Sequence, residues 1–531
     1  MKNLLLIFFL VTCFSYSQEE HAWVYFKDKP NLQQALANPS SILSVKAIQR
    51  KSLRGTPIDE RDVPVNEDYI SRIKSEENIS IKAKSKWMNC VHVIGPAEEI
   101  SKLGMFEFVL KIEFANDNLN TRSSSEKKIK ENKLETNIDF SYGQALNQTE
   151  MLNTDYLHEN DFTGEGISIA VMDAGFPNVR TMQAFNRLRS NGKLLGGYDF
   201  PNRSTDFNNP ELSNHGTLVL SNMAGFIEGS YAGTAPDASY YLFRTEIEAT
   251  ETPVEESYWV EAAERADSLG VDLINTSLGY TLFDDPDYSY TPEDMDGETT
   301  FISRGATIAT EKGLLVVTSA GNRGNEEYFK IIGAPADANV LSVGAVDRNR
   351  NYAPFSSPGP SADGRVKPDV AAQGLEIVAI DEFDNLVQVS GTSFASPILA
   401  GSVASFWQAD PSLSNTEVMQ LVRKFSSLFT NPTTQLGYGI PNFQDALLQV
   451  LEDKEISEEL FLYQNPVVNN LRFNNPGNLA YKITLFNTLG QVLLQQEQRE
   501  DKIDLSGFSR GIYIIMFEQN NSRQSFLIIK K

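Results

Sequence analysis

The sequence of 531 residues contains little cysteine and little histidine. Of its two cysteines, Cys13 lies in an apolar N-terminal stretch, and Cys90 is the only one in the rest of the chain. A lone cysteine excludes an internal disulfide, so stability must come from packing or from ions. Only His158 and His215 of the four histidines follow residue 138, and these two are the candidates for a histidine base in that region.

The chain also lacks an excess of positive charge and long apolar runs. Its 46 Lys and Arg residues face 70 Asp and Glu residues, a net charge of −24 that argues against a nucleic-acid partner. Beyond the N-terminus no stretch approaches the roughly 18 apolar residues of a membrane span, so we expect no integral membrane span. The N-terminus combines Lys2, an apolar run through Val11, and small residues at Ser15 and Ser17. This pattern predicts a secretory signal peptide of residues 1–17.

The remaining chain divides into three parts by composition and pattern. Residues 18–137 read as a small α/β unit that ends in a polar, cleavable linker between Asn116 and Lys133. Residues 138–453 alternate strand-like and helical segments, as in a parallel sheet with crossover helices, and their last helix is predicted near Asn415 to Ser426. Residues 454–531 contain short strands with turn signals and predict a separate all-β domain.

The stretch from Gly391 to Pro397 joins a strand-like segment to an apolar helical segment. Ser393 would then lie at a helix N-terminus, beside free backbone N–H groups and the positive end of the helix dipole. Pro397 is predicted in the first turn, where its missing N–H costs nothing. Taken alone, the pattern fits a helix-capping serine as well as a nucleophile.

Three other polar residues follow strands or begin helices. Asp173 ends the strand-like run that starts at Ile167, at the edge where open α/β sheets place their sites. His215 begins a predicted helix and is favoured over His158, whose polar neighbours indicate a solvated surface helix. Asn322 follows another strand, and its side-chain amide could donate to a developing oxyanion. Ordinary turn roles are the alternatives for Asp173 and Asn322.

The order of these four residues along the chain, and the motifs around them, resemble those of the subtilisin-type serine proteases (subtilases). The resemblance covers roughly residues 137–451. The matching motifs are Asp173-Ala-Gly, His215-Gly-Thr, Ser319-Ala-Gly-Asn322 and Gly391-Thr-Ser-Phe-Ala-Ser-Pro397. The resemblance implies a three-layer α/β domain with a mostly parallel sheet. It also implies that Ser393 attacks a peptide carbonyl, that His215 transfers the proton, and that Asp173 orients the imidazole.

The same resemblance also implies which residues bind the oxyanion and the substrate. The Asn322 amide and the Ser393 backbone N–H would hold the oxyanion. Ser277, Leu278 and Gly279 would pair with an extended protein or peptide substrate. The primary specificity pocket would be lined by Ala320 and Gly321.

Three features bear on how far the family pattern holds. Ala174 stands where the family usually has Ser or Thr, which removes a hydroxyl near the acid. The loop from Phe226 to Thr234 is shorter than the calcium loop of many bacterial relatives. The acidic insert from Phe283 to Gly297 matches no known metal loop and is interpreted as solvated. We therefore expect no metal site and no cofactor.

Both flanking parts also resemble known domains. Residues 18–137 resemble a subtilase propeptide, which would assist folding and act as an intramolecular inhibitor. The tail is similar to the sorting domains of type IX secretion cargo in Bacteroidetes, in Asn465-Pro466, Thr484 to Gly490, and Gly511-Ile-Tyr513. This implies the type IX secretion machinery as a partner. A carbohydrate-binding β-sandwich is the alternative for the tail, although a cluster of aromatic residues for sugars is missing.

The sequence thus favours a secreted serine endopeptidase. It would leave the cell by the general secretory route and outer-membrane translocation, to be released or attached to the cell surface. The alternative is a catalytically silent surface binding protein on the same fold. An esterase is less favoured, because the Gly-x-Ser-x-Gly motif of α/β-hydrolases and their order Ser, Asp, His are both missing.

Overall fold

The computed structural model describes residues 19–119, 142–327, 331–455, 462–475, 480–519 and 522–531. The predicted signal peptide and linker residues 120–133 lie outside the described residues. Among the described residues, no helix has the length and apolar character that crossing a membrane requires.

Residues 19–119 form an α/β unit around an antiparallel sheet with strand order β2-β3-β1-β4. Its apolar side chains pack between that sheet and the helices, with Val24 and Val91 fully buried. Helix α2 begins after Ser44, whose hydroxyl accepts a hydrogen bond from the Ala47 N–H. The elements are β1 (Glu19–Phe26), α1 (Leu32–Ala37), α2 (Val45–Leu53), α3 (Glu67–Lys74), β2 (Ser80–Ser85), β3 (Cys90–Pro96), α4 (Ala97–Lys102) and β4 (Val109–Phe114).

The central region is built on a seven-stranded parallel sheet with strand order β13-β12-β11-β10-β5-β9-β6. Strands such as β5 and β12 are buried along their whole length, which explains their continuous apolar runs. Up to the histidine-bearing helix the elements are α5 (Leu146–Glu150), α6 (Thr154–Glu159), β5 (Ser168–Asp173), α7 (Asn186–Ser190), β6 (Leu194–Asp199) and α8 (His215–Ala224).

The elements that follow complete the sheet and cover it with helices. They are β7 (Phe226–Ile227), β8 (Tyr231–Ala232), β9 (Ser239–Arg244), α9 (Val254–Leu269), β10 (Leu273–Thr276), α10 (Phe301–Glu311), β11 (Leu315–Ser319), β12 (Leu341–Val346), β13 (Val370–Gln373), β14 (Ile377–Ile380), β15 (Leu386–Val389), α11 (Thr392–Trp407), α12 (Asn415–Lys424) and α13 (Phe443–Glu455). The predicted three-layer α/β architecture is confirmed.

The prediction that the last helix of this region lies near Asn415 to Ser426 is wrong, because α13 follows it. Phe443, Leu447 and Val450 are buried at helical spacing in α13. The acidic composition after Leu451 concealed this helix, which continues to Glu455.

The interpretation of residues 283–297 as a solvated loop holds for the exposed acids Asp284, Asp287 and Glu293 but not for the apolar residues between them. Phe283, Tyr288 and Met295 are buried in the hydrophobic cluster beside α9 and α10. Tyr290 donates a hydrogen bond to Glu256 on α9 at 2.7 Å. The aromatic residues between the aspartates therefore fix the insert to the domain.

The C-terminal region consists of antiparallel strands, as predicted. A two-stranded sheet (β16 and β19) and a four-stranded sheet of order β18-β17-β20-β21 enclose a separate hydrophobic cluster that includes Phe473 and Phe517. The strands are β16 (Asn470–Arg472), β17 (Tyr481–Asn487), β18 (Val492–Gln498), β19 (Lys502–Asp504), β20 (Gly511–Gln519) and β21 (Ser522–Lys530).

Candidate active site

The ends of the central strands bring the predicted site residues to one edge of the sheet. Thr276 of β10 pairs with Met172 of β5 on one side and with Thr318 of β11 on the other. Asp173, Ser277 and Ser319 follow these three residues directly. Because parallel strands share one carboxyl edge, the acid and the predicted substrate segment lie side by side.

Asp173 and His215 form the tightest contact at this edge. Asp173 is fully buried, and its Oδ1 lies 2.7 Å from Nδ1 of His215, the first residue of α8. The same Oδ1 accepts a hydrogen bond from the Ala174 N–H at 2.8 Å, whereas Oδ2 has no hydrogen-bond partner among the residues that the structure describes. Oδ2 is thus left unsatisfied beside Ala174, where the family usually places a hydroxyl.

The surroundings of His215 favour its protonated form. Burial opposes protonation, but the Asp173 carboxylate, by its charge and by its hydrogen bond, and the charges of Glu246 and Glu248 outweigh burial and raise the pKa of the imidazole. Burial, mainly, raises the pKa of Glu246 to about 7, even though its Oε2 accepts a hydrogen bond from the Tyr280 hydroxyl at 2.9 Å.

Ser393 is the second residue of α11, after the N-cap Gly391 and the first residue Thr392. Its Oγ donates to the Ser277 carbonyl at 3.3 Å and, in the described part of the chain, makes no hydrogen bond to His215. The structure therefore brings Asp173 and His215 into direct contact and leaves the Ser393 hydroxyl turned toward the neighbouring strand end.

The placement of Pro397 differs from the prediction. Helix α11 begins at Thr392, so Pro397 lies in its second turn rather than its first. Proline lacks the N–H that would bond the carbonyl four residues earlier, which is that of Ser393. The Ser277 hydroxyl donates to the Ser393 carbonyl instead, at 2.8 Å.

Asn322 is oriented by Thr392. Its side-chain Oδ1 accepts hydrogen bonds from both the backbone N–H and the hydroxyl of Thr392, each at 2.9 Å. With the oxygen fixed there, the amide nitrogen Nδ2 lies on the side of Gly391. A Cβ atom at position 391 would be 3.7 Å from this nitrogen. The exposed Asn322 amide is thus a fixed donor beside the start of α11.

The predicted substrate residues surround this arrangement. Ser277 and Leu278 are buried, and Gly279 is exposed at the surface. Ala320 is buried after β11, and Gly321 follows with a φ of 100°, its N–H donating to the Thr392 hydroxyl at 3.2 Å.

Asn275, Ser396 and Thr392 belong to the site but were not predicted as site residues. Ser396 Oγ donates to Asn275 Oδ1 at 2.9 Å, and Asn275 Nδ2 donates to Ser277 Oγ at 3.4 Å. All three are fully buried polar residues. The only sequence signal was their position: Ser396 and Thr392 flank Ser393, and Asn275 precedes Ser277 by two residues.

His158, predicted to be solvated, is buried. Its Nδ1 lies 2.8 Å from the Tyr142 hydroxyl and its Nε2 lies 3.1 Å from the Thr234 carbonyl. Burial lowers the pKa of His158 to about 4, so this imidazole is neutral at ordinary pH. The prediction of a solvated histidine was wrong because it used only the polar neighbours in the helix, whereas Thr234 is distant in sequence.

The described residues contain no group of three or more His, Cys, Asp and Glu side chains arranged to hold a metal ion. The loop from Phe226 to Thr234 contains the hairpin β7–β8, in which Phe226 pairs with Ala232.

The peptidase region is similar to curated serine proteases of bacilli. It is 30% identical over 297 residues to the thermophilic serine proteinase of Bacillus sp. (strain AK1), covering 55% of this chain and 65% of that protein. It is 28% identical over 291 residues to subtilisin DY of Bacillus licheniformis, covering 54% of this chain and 93% of that protein.

The solved structures that match the chain include two proteases. The prenylagaramide maturation protease PagA has a TM-score of 0.44 and 22% identity, over 56% of this chain and 98% of that one. The MycP3 protease of a type VII secretion system has a TM-score of 0.47 and 21% identity, over 61% of this chain and 95% of that one.

Family models match all three described regions. Residues 21–133 match the peptidase S8 propeptide domain of Bacteroidota, and residues 462–531 match a secretion system C-terminal sorting domain. These matches confirm that the chain has a propeptide domain and a sorting domain. The boundaries placed at residues 17, 137 and 453 stay predictions. Residues 164–441, more than half of the chain, match the subtilase model, and the chain therefore belongs to the subtilase family.

Proposed function

We propose that the protein is a secreted serine endopeptidase that cleaves peptide bonds through an acyl-enzyme on Ser393. The observation that carries the proposal is the 2.7 Å contact between buried Asp173 and His215 at the sheet edge from which α11 presents Ser393. In the reaction the Ser393 hydroxyl leaves the Ser277 carbonyl and donates to His215 Nε2. His215 takes the proton as Ser393 attacks and returns it to the leaving amine, while Asp173 stabilises the imidazolium.

The oxyanion would be held by two donors. Asn322 Nδ2 is oriented by the bonds from Thr392 to its Oδ1. The Ser393 N–H lies in the first turn of α11, where backbone donors have no partner within the helix. Donors fixed in advance stabilise developing charge without reorganising during the reaction. Ser277, Leu278 and Gly279 would pair with the extended substrate, and Ala320 and Gly321 would line the pocket for its principal side chain.

The experiment compares the wild type with Ser393→Ala in two assays. The first is casein hydrolysis, in which the variant should lose activity by a factor of about 10⁴ or more. The second is labelling by a fluorophosphonate, which bonds to activated serines, followed by mass mapping of the labelled peptide. The control is Ser412→Ala, because Ser412 is exposed whereas a serine such as Ser402 is buried. This variant should behave as the wild type in both assays.

The rival function, a catalytically silent binding protein, predicts that wild type and Ser393→Ala are equally inert and that Ser393 stays unlabelled. The chain has the residue types that catalysis requires at Asp173, His215, Asn322 and Ser393, and this favours the enzyme.

We further propose that residues 18–137 inhibit the peptidase until they are removed, and that the type IX machinery recognises the C-terminal domain. Export would begin at the N-terminal signal and end with release or attachment at the cell surface. Deleting residues 462–531 should leave the precursor between the two membranes, and cell fractionation checks this. Export of the truncated chain at the normal level would contradict the proposed role of the tail.

A further inference from the structure

Between β1 and α3 the propeptide domain leaves its own sheet. This excursion, which we call the anchor segment (residues 28–65), contains α1 and α2. It lies against the amino ends of β5 and β10, at the edge of the parallel sheet opposite to Asp173. The Ser44 N–H donates to the Ser268 carbonyl at 3.0 Å, and α2 comes so close to Gly270 that a Cβ there would be 2.5 Å from the Ala47 nitrogen.

A buried charge cluster joins the anchor segment to the peptidase domain. Lys51 Nζ lies 2.8 Å from Asp267 Oδ1 and 3.3 Å from Asp62 Oδ1, and Arg50 Nη2 lies 2.5 Å from Asp267 Oδ1. On the other side of the boundary, Lys312 Nζ lies 2.6 Å from Asp62 Oδ2. These five side chains are at most 3% exposed. Each domain therefore supplies charges that the other neutralises.

A second contact lies at the start of the two central strands. Asp272 Oδ1 pairs with Arg54 Nη1 at 2.9 Å, and the Arg54 guanidinium lies over the Trp407 ring at 4.1 Å. Asp272 Oδ2 accepts the Ser168 hydroxyl at 2.6 Å, and Lys46 Nζ donates to that same hydroxyl oxygen at 2.6 Å.

The sheet of the propeptide domain contacts the peptidase domain elsewhere. Glu264 of α9 accepts hydrogen bonds from the Ser85 hydroxyl and from the Lys86 and Trp87 N–H groups. Trp23 stacks on Phe301 of α10 with ring centroids 4.5 Å apart. Ser268 belongs to both attachments, since its carbonyl accepts a hydrogen bond from the Ser44 N–H and its hydroxyl accepts one from Lys86 Nζ at 2.8 Å. The charge cluster and Glu264 involve different residues.

From this arrangement we propose that the anchor segment is a second docking element, which keeps the propeptide bound after the linker to the peptidase domain has been cut. Its surface on the peptidase domain is centred on Asp267, Asp272, Lys312 and Trp407. Removing one partner from a buried ion pair leaves an uncompensated charge, so a substitution here should weaken docking far more than a substitution in an exposed ion pair. The proposal rests on the proposed function only in taking residues 18–137 as the inhibitor.

The test uses the full chain with Ser393→Ala and an engineered site for an exogenous protease in the linker. After the linker is cut, the dissociation rate of the propeptide is followed by size-exclusion chromatography. Replacing both cations, Arg50→Met with Lys51→Met, should speed dissociation by about 100-fold or more. The control is Lys102→Ala, which removes an exposed pair within α4 and should change the rate by less than about threefold.

Dissociation of the double variant at the wild-type rate would overturn the proposal, as would immediate loss of the propeptide from the cut wild type. If the double variant does not fold, Arg54→Lys takes its place. It keeps the charge but loses the planar contact with Trp407, and we expect dissociation several-fold faster, with an unchanged rate counting against the anchor. Since all proteins carry Ser393→Ala and the readout is binding, failure here is distinct from failure of the proposed catalysis.

The same substitutions have a consequence in the active chain. They lie in the propeptide, so the released peptidase domain is chemically identical in all variants. We expect the double variant to shorten the lag before activity appears and to leave the final kcat/KM unchanged. An unaltered lag would contradict the proposal.

Discussion

The carbonyl oxygen of Ser393 receives its hydrogen bond from the side chain of Ser277, 116 residues earlier in the chain. Pro397 makes this possible, because an N–H at position 397 would bond to the same carbonyl. A substrate-binding segment and the first turn of α11 are thereby joined directly.

We expect Ser277→Ala to lower kcat by about fivefold to tenfold, the cost of one neutral hydrogen bond at the start of α11. Adding Pro397→Ala should recover part of the loss, since the new N–H can bond the Ser393 carbonyl. The double-mutant cycle is measured by peptide hydrolysis, with the exposed Ser412→Ala as control. Strictly additive losses would show that the two residues do not share this carbonyl.

Asn322→Ala should lower kcat by about 10²–10³ with little change in KM, because the amide acts on charge that develops only in the transition state. Thr392→Val should have a smaller effect, about tenfold, since the Thr392 N–H still holds Asn322 Oδ1 at 2.9 Å. Steady-state kinetics on one peptide substrate checks both. Equal losses in the two variants would contradict the orienting role of the hydroxyl.

The acid limb of the pH profile should depend on Glu248. His215 must be neutral to accept a proton, so kcat/KM falls as the pH drops through its raised pKa. Glu248→Gln removes a charge that raises this pKa, so the acid limb should move to lower pH. Glu228→Gln, an exposed residue, is the control. A shift to higher pH would contradict the assignment.

Propeptide docking should weaken in acid because of two buried histidines. His21 Nδ1 lies 3.0 Å from His92 Nε2, and His92 Nδ1 lies 2.8 Å from the hydroxyl of Ser257 on α9. Burial, with a contribution from Lys82, lowers the pKa of His21 from 6.5 to about 4. Above pH 6.5 docking has its full strength, and it weakens as the pH falls toward 4, because protonation of His21 is disfavoured in the docked state.

The measurement is the propeptide dissociation constant of the linker-cut Ser393→Ala protein as a function of pH. His21→Gln should flatten the dependence between pH 6.5 and 4. A slope identical to that of the wild type would exclude His21 as the titrating group.

The sequence located Asp173, His215, Asn322 and Ser393 at element ends because strands buried on both faces carry unbroken apolar runs. What it missed depends on contacts between distant segments. The bond from Thr392 to Asn322 spans 70 residues, and His158 is buried by Tyr142 and Thr234. A local pattern contains no information on such partners.

The error at Pro397 has a different origin. Proline is favoured in the first turn of a helix, and that preference placed the start of α11 near residue 397. The helix begins five residues earlier, at Thr392, and tolerates the proline because Ser277 satisfies the Ser393 carbonyl. The prediction for residues 283–297 rested on the acidic residues, several of which are exposed, and overlooked that Phe283 and Tyr288 are buried.

The contact of Lys46 and Arg54 with Asp272 also bears on how fast the chain folds. Asp272 bonds to Ser168 across 104 residues, at the point where β10 and β5 begin their parallel pairing. Pairing strands so far apart is slow, and here it must also desolvate a carboxylate. A chain that carries the two propeptide cations neutralises this carboxylate as the strands meet. We therefore expect the peptidase domain to refold more slowly alone than in the presence of residues 19–119.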